Sequence, residues 1–201
     1  TTNPNGRCQP PMPTQTQTRP KTSPNHPTNA SQPRAATRPA AEVVSLLNDF
    51  FRVVVDAVNR HGGFVNKFQG DAALAIFGAP IEHPDASGAA LAASRELHDE
   101  LIDVLGEIEF GVGVSAGRAI AGHIGAQARF EYTVIGDPVN EAARLTELAK
   151  LEKGHVLASA IAVREAVDSE ALCWDVAETV ELRGRTEPTQ LARPINLVAA
   201  D

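Results

Sequence analysis

The chain has 201 residues, a 43% hydrophobic composition and a net charge of −7, enough apolar material for one domain of ordinary size. The charge is uneven: residues 1–40 hold Arg7, Arg19, Lys21, Arg34 and Arg38 and no acid, which leaves 13 basic against 25 acidic residues beyond them, a balance of −12. An acidic body argues against nonspecific nucleic-acid binding. Cys8 and Cys173 give neither a disulfide framework nor a zinc spacing, and no apolar run reaches the ~20 residues of a membrane span. The expectation is a soluble, cytoplasmic protein.

Residues 1–38 carry eight prolines among Thr, Asn, Gln and Ser, and no Leu, Ile, Val, Phe, Tyr or Trp. Such a segment buries too little to offset its ordering entropy, so it reads as a disordered basic tail. The composition changes abruptly near residues 35–40, as a frame slip or a fusion would make it. The folded domain is assigned to residues 39–201.

Pro39 suits a first helical turn. From Glu42 to His61, Val43, Leu47, Phe50, Val54 and Val58 recur at helical spacing, with Val44, Phe51 and Val55 widening the stripe. Gly62-Gly63 ends this helix. A hairpin follows over about residues 63–77, with Gly70-Asp71 at its turn and Lys67 four residues before the acid. A second helix is expected over about residues 85–105, striped by Ala86, Ala90, Ala93, Leu97, Leu101 and Leu105.

Residues 108–116 alternate Phe110, Val112, Val114 and Ala116 with Gly111, Gly113 and Ser115, which is a strand. Its glycines read as close-packing sites, because no strand, glycine-rich loop and helix follow in dinucleotide-binding order. Arg118–Ile124 pairs back, and Arg129–Ile135 forms another strand. Asp137 is placed as the N-cap of a helix running to Lys150, with Pro138 in its first turn. Asn140 and Arg144 share a face of that helix. Beyond it come a strand near His155–Ala158, a helix near Ser159–Val167, and strands near Trp174–Ala177, Thr179–Arg183 and Ile195–Val198. The order predicts an α+β fold of the split βαβ, ferredoxin-like type, a mixed sheet with helices packed on one side.

Two segments carry a family resemblance: Asn66-Lys67-Phe68-Gln69-Gly70-Asp71-Ala72, and the run from Phe130-Glu131-Tyr132-Thr133 through Gly136-Asp137-Pro138-Val139-Asn140 to Arg144-Leu145. Together they resemble the catalytic domain of class III nucleotide cyclases, of the bacterial type that makes cyclic AMP. The resemblance implies a head-to-tail dimer, homodimer or heterodimer with another cyclase subunit, with each site lying across the interface. It implies Mg²⁺ or Mn²⁺ as cofactor and ATP as substrate. Asp71 matches one of two metal-binding aspartates. Lys67 matches the contact to adenine, with Thr133 its partner in base selection. Asn140 matches the ribose-orienting residue and Arg144 the residue that stabilises charge on the phosphates. Arg183 and Arg185 are both candidates for the terminal phosphates, and Arg129 is a weaker one.

The chain departs from the family at its start. The other metal aspartate belongs to a first strand ahead of the first helix, yet the first acidic residue here is Glu42. The sheet is therefore expected to have its first strand missing or replaced, and the chain alone to cyclise ATP poorly. The alternative is a non-catalytic module that binds nucleotide or pairs with an intact cyclase subunit. A diguanylate cyclase is a weaker reading, since Gly70-Asp71-Ala72-Ala73 stands where the Gly-Gly-acid-Glu-Phe signature would be.

Overall fold

The computed structural model describes residues 14–20, 39–106, 108–126, 129–167 and 169–195. Among these residues nine strands and four α-helices follow in chain order: β1 (Thr14–Pro20), α1 (Ala40–Arg60), β2 (Phe64–Gln69), β3 (Ala72–Phe77), α2 (Ala86–Leu105), β4 (Phe110–Ser115), β5 (Ile120–Ala126), β6 (Arg129–Ile135), α3 (Asp137–Ala149), β7 (Val156–Ser159), α4 (Ala160–Glu165), β8 (Trp174–Val180) and β9 (Thr189–Pro194). Seven strands form one mixed sheet in the order β2-β3-β1-β4-β7-β9-β8, and β5-β6 is a separate ribbon. β1 runs antiparallel to both β3 and β4, so β1-α1-β2 and β3-α2-β4 are two interleaved split βαβ units.

An interior place in the sheet, third of its seven strands, falls to residues that composition assigns to a disordered tail. Thr14–Thr18 pair with Phe77–Ala73 on one side, and Gln15–Pro20 with Ser115–Phe110 on the other. Thr has a real β-propensity even in a polar run, and two flanking strands offer unpaired N–H and C=O groups that must be satisfied. Thr14–Pro20 thus lies between β3 and β4. Residues 1–13 and 21–38 lie outside the described residues.

Helices cover both faces, which corrects the expectation of one. α1, α2 and α4 pack on the face of Phe110, Val112 and Val114, where Phe50, Val54, Val58, Leu91, Leu97 and Leu101 form the main core. α3 lies on the opposite face, over Gly111 and Gly113. A Cβ on Gly113 would fall 2.3 Å from the Ala142 carbonyl oxygen, so glycine there is what brings α3 onto the sheet. Leu145, Ala149, Leu157 and Leu191 make a second, smaller core beneath α3. The first two turns of α1 are less buried than the stripe predicts: Val44 is exposed, and the buried face is Phe50, Val53, Val54, Ala57 and Val58.

Three further expectations shift. Asp137 is the first residue of α3, not its cap; Gly136 occupies the N-cap with no side-chain bond. The two strands expected over 174–183 are a single strand, β8, irregular between Val176 and Thr179. Its partner is Thr189–Pro194, a polar segment ending in proline that hides its alternation, rather than Ile195–Val198. Residues 196–198 lie outside the described residues. No helix among the described residues is long and apolar enough to cross a membrane.

Candidate active site

The β2-β3 hairpin closes on a two-residue turn, Gly70-Asp71, between the paired residues Gln69 and Ala72. Gly70 takes φ +65°, and glycine at the first central position is the pattern of a type II′ turn. Asp71 therefore stands half-buried at the tip, on a base fixed by the fully packed strand β3. Further back, β2 carries an extra residue between Val65 and Lys67. Such a bulge re-aims side chains, and here it turns Asn66 and Lys67 towards the β5-β6 ribbon. Asn66 Nδ2 donates to the Tyr132 carbonyl oxygen at 2.8 Å, and Lys67 Nζ donates to Thr133 Oγ1 at 2.9 Å. The sequence pairs Lys67 with Thr133 across 66 residues, and the fold brings them into contact. The ribbon is seated by Ala119 and Val134 packing on Ile76.

A second group gathers at the start of α3. Asn140 and Arg144 are both exposed, one turn apart. Arg144 Nε donates to the Arg183 carbonyl oxygen at 3.1 Å, which ties the helix to the loop between β8 and β9. An open pocket of about 460 Å³ lies along that loop, from Glu181 to Pro188. The loop's two arginines differ completely. Arg183 is exposed. Arg185 has a side chain only 8% exposed and forms an ion pair with Asp137, Nη2 to Oδ2, at 2.6 Å. Its Nη1 donates to Glu141 and to Thr189. Glu141 is itself buried and also accepts from Ser115 Oγ and, at 2.6 Å, from Thr189 Oγ1. The Arg185 hydrogen bond holds the Asp137 carboxyl below its ordinary range, against a smaller opposing effect of burial.

Sequence reasoning missed Glu141 and the structural use of Asp137. Both sit in the first turn and a half of a helix, where acids are ordinary complements to the helix dipole. Only the return of Arg185, 44 residues beyond Glu141 and 48 beyond Asp137, shows their role.

Among the described residues, the metal site that the resemblance implies is not completed. A hard divalent cation is held by several oxygen ligands, carboxylates foremost. Asp71 is one. Strand β1 lies beside β3 in the register Thr18↔Ala73, which sets Pro20 level with Asp71. Residues 1–41 hold no Asp or Glu. Among the described residues no three His, Cys, Asp or Glu side chains cluster to hold a metal ion.

With this geometry in hand, comparison with known proteins is specific. A family model described as the adenylate and guanylate cyclase catalytic domain matches residues 29–192. The uncharacterized protein Rv1318c of Mycobacterium tuberculosis is 55% identical over 161 residues, which cover 80% of this chain and 30% of that protein. The uncharacterized protein Mb1354c of Mycobacterium bovis is 55% identical over 161 residues, 79% of this chain and 28% of the relative. This chain thus spans less than a third of the length of these relatives. Among solved structures, the guanylyl cyclase Cya2 superposes with a TM-score of 0.71 at 25% identity, covering 90% of this chain and 89% of that one. The adenylyl cyclase CyaB from P. aeruginosa superposes with a TM-score of 0.72 at 21% identity, covering 94% and 95%. The second of these bears on the fold alone.

Proposed function

The chain belongs to the family of adenylate and guanylate cyclase catalytic domains, and on that premise we propose that it acts on ATP, forming cyclic AMP and pyrophosphate. The observation that carries this reading is the hydrogen bond from Lys67 Nζ to Thr133 Oγ1. Adenine offers an acceptor at N1 and an N–H at N6. An ammonium can donate to the first and a hydroxyl can accept from the second. Guanine presents N1–H and O6 at the same edge, so a lysine facing N1 meets a donor.

The remaining side chains fit the reaction's later demands. The ribose 3′-hydroxyl attacks the α-phosphorus, the bond to the bridging oxygen breaks, and pyrophosphate leaves. Asn140 orients the ribose. Arg144 meets the charge that grows on the phosphates, and Arg183 meets the terminal phosphates. Arginine suits both tasks because it stays charged and forks onto phosphate oxygens. Rate then comes from positioning and charge stabilisation, as in other phosphoryl transfers.

The family's cation, Mg²⁺ or Mn²⁺, takes carboxylate ligands, and residues 1–41 offer none while the described residues hold no cluster of three His, Cys, Asp or Glu side chains. We therefore read it as one half of a head-to-tail dimer. It supplies Lys67, Thr133, Asn140 and Arg144 to a site whose acidic pair comes from another cyclase subunit.

The test is a cyclase assay on the purified chain, alone and mixed with a complete subunit whose own counterparts of those four residues are replaced. Alone, the chain should give no turnover with Mg²⁺ or Mn²⁺; the mixture should make cyclic AMP from ATP. Robust turnover by the chain alone, abolished in Asp71→Ala, would sink the half-site reading. Cyclic GMP as the favoured product would sink the base assignment.

A further inference from the structure

Arg185 is nearly used up within the fold. Its Nε and Nη2 reach Asp137, and its Nη1 reaches both Glu141 and Thr189. A guanidinium has five N–H donors, so these contacts leave it about one. Its two acidic partners are the first and fifth residues of α3, and the helix's exposed Asn140 and Arg144 lie on the same turns. The loop it anchors turns tightly, with Arg185 N donating to the Leu182 carbonyl oxygen at 3.1 Å and Gly184 at φ +84°. That turn leaves Arg183 outside, exposed, with its carbonyl oxygen taken by Arg144.

We propose that Arg185, seated on the buried Glu141, is a positioning residue for phosphate recognition. It clamps the 181–188 loop onto the start of α3, so that Arg183, Asn140 and Arg144 face one triphosphate together. The clamp joins three elements: Ser115 at the end of β4, Glu141 in α3, and Thr189 at the start of β9 meet at one carboxylate. Glu141 is 3% exposed. A buried carboxylate is costly without a charged partner, and Arg185 meets that need while holding the loop. Arg185 does not itself contact the nucleotide. The inference rests on the ATP-cyclase reading of the site and assigns work within it.

Binding of N-methylanthraniloyl derivatives of ATP, AMP and GTP to the full chain separates the possibilities. Arg183→Gln should cut the preference for ATP over AMP by roughly tenfold, the order expected for losing a charged hydrogen bond. Arg185→Gln and Glu141→Gln should each cut the same preference several-fold. The preference for ATP over GTP should not move in any of the three, because Lys67 and Thr133 are untouched. A merely structural role would weaken all three nucleotides alike. Arg185→Lys should not rescue, since an ammonium cannot bridge three partners.

If Arg185 instead touched phosphate, Arg185→Lys would keep the ATP preference, and Glu141→Gln would raise it by freeing the guanidinium. Either result overturns the proposal. So does an unchanged ATP-over-AMP preference in Arg185→Gln beside a lowered one in Arg183→Gln. A wild-type chain that binds ATP and AMP analogues equally overturns the cyclase reading and the clamp with it. Should Arg185→Gln fail to fold, the double variant Arg185→Leu with Glu141→Leu removes both buried charges at once. It should fold and still show the lowered ATP preference; a preference equal to wild type in that variant refutes the clamp.

Discussion

The contact of α3 with the sheet depends on Gly113, and Gly113→Ala tests it. A Cβ there falls 2.3 Å from the Ala142 carbonyl oxygen and 2.5 Å from the Thr146 nitrogen, both main-chain atoms of α3. Ordinary contact begins near 3.4 Å, so the helix must retreat by about 1.1 Å, the difference from 2.3 Å. No rotamer change relieves a clash between two backbones. Overpacking of this kind costs about 1–3 kcal/mol, and a domain of this size loses about 2–4 °C of Tm per kcal/mol. A fall of roughly 4–12 °C is expected for Gly113→Ala, taking the upper part of that range. Because α3 carries Asn140 and Arg144, ATP-analogue binding should weaken as well. Gly122→Ala is the control. It lies on β5, where a Cβ meets nothing within 4 Å, and its melting should stay within about 2 °C of wild type or rise slightly. Both are read by circular-dichroism melts of the full chain. If Gly113→Ala melts with Gly122→Ala, α3 does not lie on the sheet as described, and the placement of Asn140 and Arg144 falls with it.

Three other expectations follow from particular groups. Thr16 pairs with Ala75 on one side and Val114 on the other. Thr16→Pro removes a donor from the interior of the sheet, leaves an acceptor unmet at about 1–3 kcal/mol, and should lower Tm by several degrees; an unchanged melt would show that residues 14–20 are not an interior strand. His155 titrates below its ordinary value, chiefly through burial and then through the neighbouring His98, while Glu109 and the Phe110 backbone oppose the shift. A lowered histidine pKa means the unfolded chain binds the proton first. Stability should therefore be complete above about pH 6.5, the ordinary imidazole value, and fall as pH drops below it. His155 also sits at φ +49°, which asparagine tolerates. His155→Asn should flatten the pH dependence of Tm between pH 7.5 and 5.5, and an equally steep profile would rule this histidine out as its source. Finally, Lys67→Glu with Thr133→Cys should shift analogue preference from ATP towards GTP by tenfold or more, measured by competition binding; no shift would remove base selection from this pair.

Much of this protein was legible without coordinates. Apolar spacing placed α1 and α2 within a few residues, because a helix that buries one face must repeat it every three to four positions, and the Asp137-Pro138 start placed α3. The Gly70-Asp71 turn and the alternation of 108–116 did the same for the hairpin and β4. The two motif segments named the family and brought Lys67 and Thr133 into one argument before any distance was known. The placing of the chain's acids was legible too: none stands before Glu42.

Tertiary structure decided what composition could not weigh. Thr14–Pro20 looks like tail by its apolar content, yet backbone pairing from two sides gives it a place in the sheet. Strand β9 escaped notice because its partner, not its pattern, makes it a strand. The unlike surroundings of Arg183 and Arg185 were hidden for the same reason. Two arginines two residues apart are equivalent in a sequence, and only the buried Glu141 and the nearby Asp137 capture one of them. Local periodicity is written along the chain, whereas a side chain's remaining hydrogen-bonding capacity depends on neighbours that arrive from far along it.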